Sequence, residues 1–273
     1  MSVNLRWLGT AGVELSCDGQ VILIDPYLSR PCKKDILFHA LIPKREAIKR
    51  YIDSIDGKVR AVIAGHTHFD HVLDIPALAR CLDVPIFGSS SLDTLLSISG
   101  LSGKTKVCRP QERIILDSMI TISMIPSAHG LILSRLLLLK GDINPRLTPP
   151  LRTRQYRLGA MFAPQVEMGG LTFLHVGSAG YVEKELEGHR CDVLFLCVAG
   201  WKKWPKYPQR VLEMVRPSCV IPIHHDDFSA PLTPGNKVRV MRSADLEGFG
   251  DHVRMNRAGL EVRQLEPYIT ASF

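Results

Sequence analysis

A short apolar run that empties into a cluster of metal-type ligands constrains this chain more than any other feature. Val59 to Ile63 reads as a buried strand, and Gly65 lets the backbone turn as it leaves the sheet. His66, His68, Asp70 and His71 then follow within six residues. In an extended segment alternate side chains share a face, so His66, His68 and Asp70 converge, and His71 comes within reach once the chain turns into a helix. Imidazole nitrogen and carboxylate oxygen are the donors that borderline divalent ions such as zinc accept. One histidine in a polar turn would be filler. Three with an aspartate at this spacing read as a ligand set.

The rest of the chain alternates strands and helices around that stretch. Leu5 to Leu8, Val13 to Cys17 and Val21 to Ile24 read as strands, with Asp18-Gly19 as a hairpin signal. Asp25-Pro26 ends the third. Arg30 to Pro43 is irregular, and Lys44 to Ile55 has helical spacing, with Ile48, Tyr51, Ile52 and Ile55 on one side. Asp74 is placed to cap a helix running to Cys81. A strand over Val84 to Phe87, a helix after Ser90-Ser91 and strands over Ile114 to Leu116 and Met119 to Ile125 follow. Ser127-Ala128-His129-Gly130 closes the last of these, with small residues flanking a further candidate ligand. Leu131 to Leu139 reads as a core strand.

Residues 140–168 are expected to form a basic loop or hairpin over the site, since Arg146, Arg152, Arg154 and Arg157 are mixed with Pro145, Pro149 and Pro150. Arg152 and Arg154 are candidates to grip a phosphate or carboxylate, or else belong to a solvated loop. Leu171 to Val176 reads as a strand ending at Gly177-Ser178, with His175 as a structural or supporting histidine. Val182 to Leu186 and Gln209 to Val215 read as helices and Val193 to Val198 as a buried strand. Trp201 lies in an aromatic-basic loop able to stack on a ring or bind an anion. Cys219 to Ile223 leads into His224-His225-Asp226-Asp227, where His225 and Asp226 are candidates to support the ligands or face substrate. Residues 236–273 supply a short helix and terminal strands.

Composition bounds the class. The 273 residues are 45% hydrophobic and 22% charged, enough for a large two-sheet core, and the motifs run end to end, so one domain over 1–273 is expected. A stretch of about 18 uninterrupted apolar residues is lacking, so no membrane span is indicated. The first residues enter strand-like sequence directly, without a signal-peptide apolar stretch. The seven cysteines are odd in number and without C-x-x-C spacing, which argues against a disulfide framework or zinc ribbon and fits a reducing cytoplasm. A net charge of +7 suits phosphorylated substrates, nucleic acid or anionic lipid, or simply a solvated surface.

His66-x-His68-x-Asp70-His71 resembles the signature of the metallo-β-lactamase superfamily of metal-dependent hydrolases. The likeness extends to Trp7-Leu8-Gly9-Thr10-Ala11-Gly12, Ile24-Asp25-Pro26, Ser127-Ala128-His129-Gly130 and Ile221-Pro222-Ile223-His224. Within it, the branch of L-ascorbate-6-phosphate lactonase-like proteins is the most similar. The resemblance implies an α/β fold, an αββα four-layer sandwich of two mixed sheets flanked by helices. It also implies a metal pair, with His66, His68 and His129 on one ion and Asp70, His71 and His224 on the other, and Asp25 supporting the cluster. Zinc is the expected ion, one or two of them, with manganese or iron as alternatives. Such an ion lowers the pKa of coordinated water from about 15.7 to about 7, and Asp70 would orient that water or relay its proton.

The implied activity is hydrolysis of an ester, a lactone or a phosphate ester, on a small and anionic substrate. One departure stands out: the family's bridging aspartate after Gly177 is Ser178 here, a neutral hydroxyl and a poor bridge between ions. It leaves open a catalytically attenuated metal-binding or regulatory protein. The net charge and the basic loops leave open another reading, a nuclease or phosphodiesterase.

Overall fold

The opening strands show how the layers arise. In a computed structural model, which describes residues 2–131, 139–241, 243–257 and 259–273, β1 (Asn4–Gly9), β2 (Gly12–Cys17) and β3 (Gln20–Ile24) form an antiparallel meander. Cys17 pairs with Gln20 across Asp18-Gly19, whose φ angles of +46° and +70° are those of a type I′ turn. β4 (Lys58–Ile63), β5 (Ile86–Gly88) and β6 (Thr105–Val107) continue the sheet in parallel. Parallel neighbours need long crossovers. Helices α1 (Lys33–Phe38) and α2 (Arg45–Asp53), then α3 (Phe69–Val72) and α4 (Ile75–Cys81), then α5 (Ser90–Ile98) lie in them.

The second half repeats the plan. β7 (Glu112–Ile115), β8 (Ile120–Pro126), β9 (Phe162–Met168) and β10 (Leu171–Val176) run antiparallel. β11 (Val193–Cys197), β12 (Cys219–Ile223) and β13 (Glu261–Val262) add in parallel, with helices α6 (Glu183–Leu186), α7 (Gln209–Val215) and α8 (Leu246–Asn256) between them. The last strand, β14 (Ala271–Ser272), returns to pair with β1. The sheet orders are β14-β1-β2-β3-β4-β5-β6 and β13-β12-β11-β10-β9-β8-β7, seven strands each.

Three apolar layers separate four layers of structure. Leu5, Trp7, Val13 and Ile63 of the first sheet meet Ile122, Phe173, Phe195 and Ile221 of the second. Leu23 and Val62 face Ile48, Leu78 and Leu92 of the flanking helices, and Leu194 and Val220 face Leu212 and Phe249 on the far side. Strands covered on both faces read as unbroken apolar runs, as all five buried residues of β11 do. Each such side chain contributes roughly 1.5–3 kcal/mol by leaving water. The expected αββα sandwich is the fold.

Three expectations change. Residues 162–168 are not loop but the central strand β9, registered on both β8 and β10. It holds Pro164, a residue that cannot donate to a ladder. Pairing with β10 ends at Gln165, so Pro164 has only β8 as a registered neighbour. Asp74 precedes α4 without capping it: its carboxylate instead accepts from the Leu28 and Ser29 amides at 2.6 and 2.8 Å and from the Ser29 hydroxyl. Part of the irregular 30–43 stretch is helical, as α1. The strand expected over Leu131 to Leu139 falls largely on 132–138, outside the described residues.

Candidate metal centre

Every element of the site follows the end of a strand. Asp25 follows β3, His66 to His71 follow β4, His129 follows β8, Ser178 follows β10 and His224 follows β12. The backbone turns after β4, and α3 places Asp70 and His71 in its single turn behind His68. Two triads result: His66, His68 and His129, and Asp70, His71 and His224. Within each, the ligand atoms lie within 4.8 Å of one another. The His66 ring is 3.8 Å from the His71 ring, so the triads sit side by side. All six residues named from sequence as ligands are therefore brought together.

The donor set fits a divalent cation. Both ring nitrogens of His66 are buried without a hydrogen-bond partner, a free-energy cost that coordination removes. Burial pushes His66 well below the ordinary imidazole range and His129 down to about 3, with neighbouring imidazoles adding to both. Both rings are thus neutral, each with one unprotonated nitrogen to offer, as a ligand must have. Burial works against the Asp70 carboxylate, but the hydrogen bond from His224 (Nε2 to Oδ2, 3.2 Å) and nearby imidazoles hold it well below the carboxylate range.

Supporting contacts fix ring orientation. His71 Nδ1 lies 2.7 Å from Asp25 Oδ2, which assigns that nitrogen as the donor and leaves Nε2 for an ion. Burial alone would lower the His71 pKa, yet the Asp25 charge and hydrogen bond raise it. Asp25 Oδ1 accepts from the Gly65 amide at 2.7 Å. A Cβ at Gly65 would stand 3.1 Å from Asp25 Oδ2, so glycine here serves close approach rather than the turn itself. His129 Nδ1 lies 2.8 Å from its neighbour's carbonyl, Gly130 O, which again frees Nε2.

Thr10, Asp25 and His224 have φ of +50°, +46° and +57°. Each left-handed non-glycine costs on the order of 1–3 kcal/mol and persists only where its surroundings over-determine it. At His224 the determinants are visible: its amide donates to Thr10 O at 2.8 Å, and the Thr10 amide donates to Asp226 Oδ1 at 2.9 Å. Asp226 Oδ2 is paired with Arg30 Nη2 at 2.5 Å, with both side chains buried. Arg30 also donates to the carbonyls of Asp227 and Ala230.

A family model described as a beta-lactamase superfamily domain matches residues 4–224. The chain belongs to that superfamily. A metal-dependent hydrolase of Anaeromyxobacter dehalogenans is 26% identical, over 97% of this chain and 84% of its own length. The structure of a metallo hydrolase from Ignicoccus hospitalis has a TM-score of 0.67 at 21% identity, covering 100% of this chain and 99% of its own. A diiron beta-hydroxylase from Streptomyces venezuelae has a TM-score of 0.61 at 13% identity, covering 99% of this chain and 54% of its own. At these identities the structural likeness is one of fold.

This superfamily member differs from expectation in its supporting residues. Ser178 belongs to neither triad; its hydroxyl accepts the Gly130 amide at 3.0 Å and so holds the loop that carries His129. Cβ atoms at Gly130 and Gly180 would stand 2.7 and 2.5 Å from facing carbonyls, which explains the small residues around His129. Of the two alternatives for Asp226, its contacts with Arg30 and Thr10 favour support of the ligands, and His225 stacks on Trp7 at 4.7 Å. Arg152 donates to the Phe38 carbonyl at the surface, and Arg154 lies on an exposed 3-10 turn. Trp201 is buried against Phe249, at 5.6 Å, and does not line the site.

The aromatic beside the centre is Trp204. With His129, Leu131, Lys140, Leu158 and Met161 it lines a cavity of about 390 Å³. Sequence reading singled out the loop that holds Trp204 but the wrong tryptophan in it. A larger apolar groove of about 900 Å³ between α2 and α4 contains none of the ligands.

Proposed function

We propose that this chain is a metal-dependent hydrolase acting on a small anionic ester, lactone or phosphate ester. The observation that carries the reading is the convergence of six ligand side chains into two adjacent triads. Family membership and a curated relative named as a metal-dependent hydrolase support it. One or two ions would be held, by His66, His68 and His129 and by Asp70, His71 and His224. Zinc suits the imidazole-rich set best, with manganese or iron as the alternatives. A divalent ion there supplies Lewis acidity and an activated water.

The chain's own groups do the rest. Asp70 keeps a deprotonated carboxylate that orients water by accepting its hydrogen bond. Among the described residues Lys140 is the one cation lining the His129 cavity, where it attracts an anionic substituent, while Trp204, Met161 and Leu158 supply apolar wall. Free cysteines at all seven positions accord with a cytoplasmic setting. Among the described residues no helix is long and apolar enough to cross a membrane.

The test is metal analysis of the purified protein, followed by turnover of a carboxylic ester, a lactone and a phosphodiester with and without chelator. Turnover that disappears with the metal and returns on its addition is expected; undiminished turnover by metal-free protein would remove the proposal.

A second reading rests on Ser178. With its hydroxyl engaged on Gly130, that loop offers no carboxylate between the triads, as in an attenuated metal-binding protein. Ser178→Asp separates the two. A gain of activity from a silent wild type favours attenuation, while unchanged or lower activity places Ser178 in a working site.

A further inference from the structure

We propose a second ligand site, separate from the metal centre: the cavity of about 560 Å³ formed by one face of α2, residues 28–30 and residues 231–234 binds a phosphorylated small molecule. Among the described residues four cations line it, Arg6, Arg30, Lys44 and Arg50, and no acidic residue does. Two of the four are already neutralised. Arg6 makes two hydrogen bonds to Glu14, at 2.5 and 2.8 Å, and Arg30 pairs with Asp226. The other two are not. Among the described residues the Lys44 ammonium has only the Arg30 carbonyl, at 3.2 Å, and the Arg50 guanidinium has no ion-pair or hydrogen-bond partner. The buried acid near Lys44, Asp74, has its oxygens occupied by Leu28 and Ser29.

Helical spacing makes this a constructed face. Lys44, Ala47, Arg50, Tyr51 and Ser54 recur at three- and four-residue steps and all line the cavity. Its wall therefore presents two unpaired positive charges in a concave setting, which concentrates the field on an anion. A guanidinium fork and an ammonium together match the several acceptor oxygens of a phosphoryl group. Tyr51 and Tyr268 add aromatic wall for an attached organic group, and the volume falls within the roughly 300–1,000 Å³ of small-molecule sites. None of the six metal-centre ligands lines this cavity, so the site stands whether or not the metal centre hydrolyses anything.

Calorimetric titration with phenylphosphonate, which carries the phosphoryl group and a ring and cannot be hydrolysed, tests it on the full-length protein as purified. Binding of one equivalent is expected. It should persist in His129→Ala, persist in the charge-conserving Lys44→Arg/Arg50→Lys, and weaken at least about tenfold in Lys44→Ala/Arg50→Ala, given about 1.5–3 kcal/mol for each hydrogen bond to a charged group. Both side chains are exposed, so the melting temperature of the double variant should match wild type; were it to fall, Lys44→Gln alone should still weaken binding severalfold. No binding to wild type, or binding lost in His129→Ala and unchanged in Lys44→Ala/Arg50→Ala, overturns the site.

Discussion

The two triads lie side by side and are built by different means. In the first, three imidazoles bring no charge, and the visible brace of His129 is backbone: its own ring on the Gly130 carbonyl and the Gly130 amide on Ser178. In the second, Asp70 brings a charge, and both histidines are held by buried charged groups, His71 by Asp25 and His224 through Thr10, Asp226 and Arg30. A neutral triad gains nothing from ionic scaffolding, and its His129 lines the cavity of about 390 Å³. A triad containing a carboxylate holds a cation more tightly, but its charged neighbours must each be satisfied within the interior. One triad thus borders a cavity, and the other is braced by charges buried in the fold.

The strongest way to break that separation is to remove a ligand. His66→Ala should strip the ion from the neutral triad and lower hydrolysis by more than the roughly 10–100-fold typical of a supporting residue, while the anchored triad keeps its metal. Metal analysis beside turnover decides it: loss of all metal would mean that the two triads are one cooperative unit. Next in size is the scaffold. Arg30→Met leaves the Asp226 carboxylate buried and unpaired, and a loss of about 3–5 kcal/mol in chelated protein is expected from denaturant unfolding. An unchanged midpoint would show that Arg30 does not brace His224. Asp25→Asn is milder, because the amide still fits: metal affinity of the anchored triad should fall by about 10–100-fold, with the neutral triad unaffected. Equal losses at both triads would erase the contrast.

How far these parts were legible in sequence follows the same division. The ligands could be read because they cluster locally at the ends of apolar runs, where residue type and spacing carry the signal. Of the supports only those beside the ligand motifs were legible, Asp25 and Asp226, and what holds them in place was not. Arg30 and Asp226 are 196 residues apart, and nothing in either neighbourhood marks them as partners. Asp226, which follows His224, reads in sequence as either supporting the ligands or facing substrate, and its contacts with Thr10 and Arg30 favour support. Strand β9 was hidden because the arginines and prolines at 145–157 set the reading for the whole of 140–168, whereas the strand's pairing with β8 and β10 is set by residues distant in sequence. Trp201 and Trp204 share one loop, and only the packing of Trp201 on Phe249 shows which remains to line the cavity.

The smallest test concerns the buttress behind Asp25. His175 is buried, with its Nε2 2.7 Å from the Ala11 carbonyl and its Nδ1 4.0 Å from Asp25 Oδ2. Burial holds its pKa below the ordinary value near 6.5, against the opposing pull of Asp25. Above about pH 6.5 the ring is neutral in both folded and unfolded chains and contributes no pH dependence. Below that value the unfolded chain takes up a proton that the folded protein refuses, so stability is lost by up to about 1.4 kcal/mol per pH unit until the folded value is passed. His175→Gln keeps an N–H for Ala11 and removes the titration. Urea unfolding of chelated protein between pH 7 and 5 should therefore show a shallower loss in the variant. Parallel profiles would mean that His175 is protonated in the fold. It would then draw on the Asp25 carboxylate in competition with His71, and the anchored triad would be less securely braced than its geometry indicates.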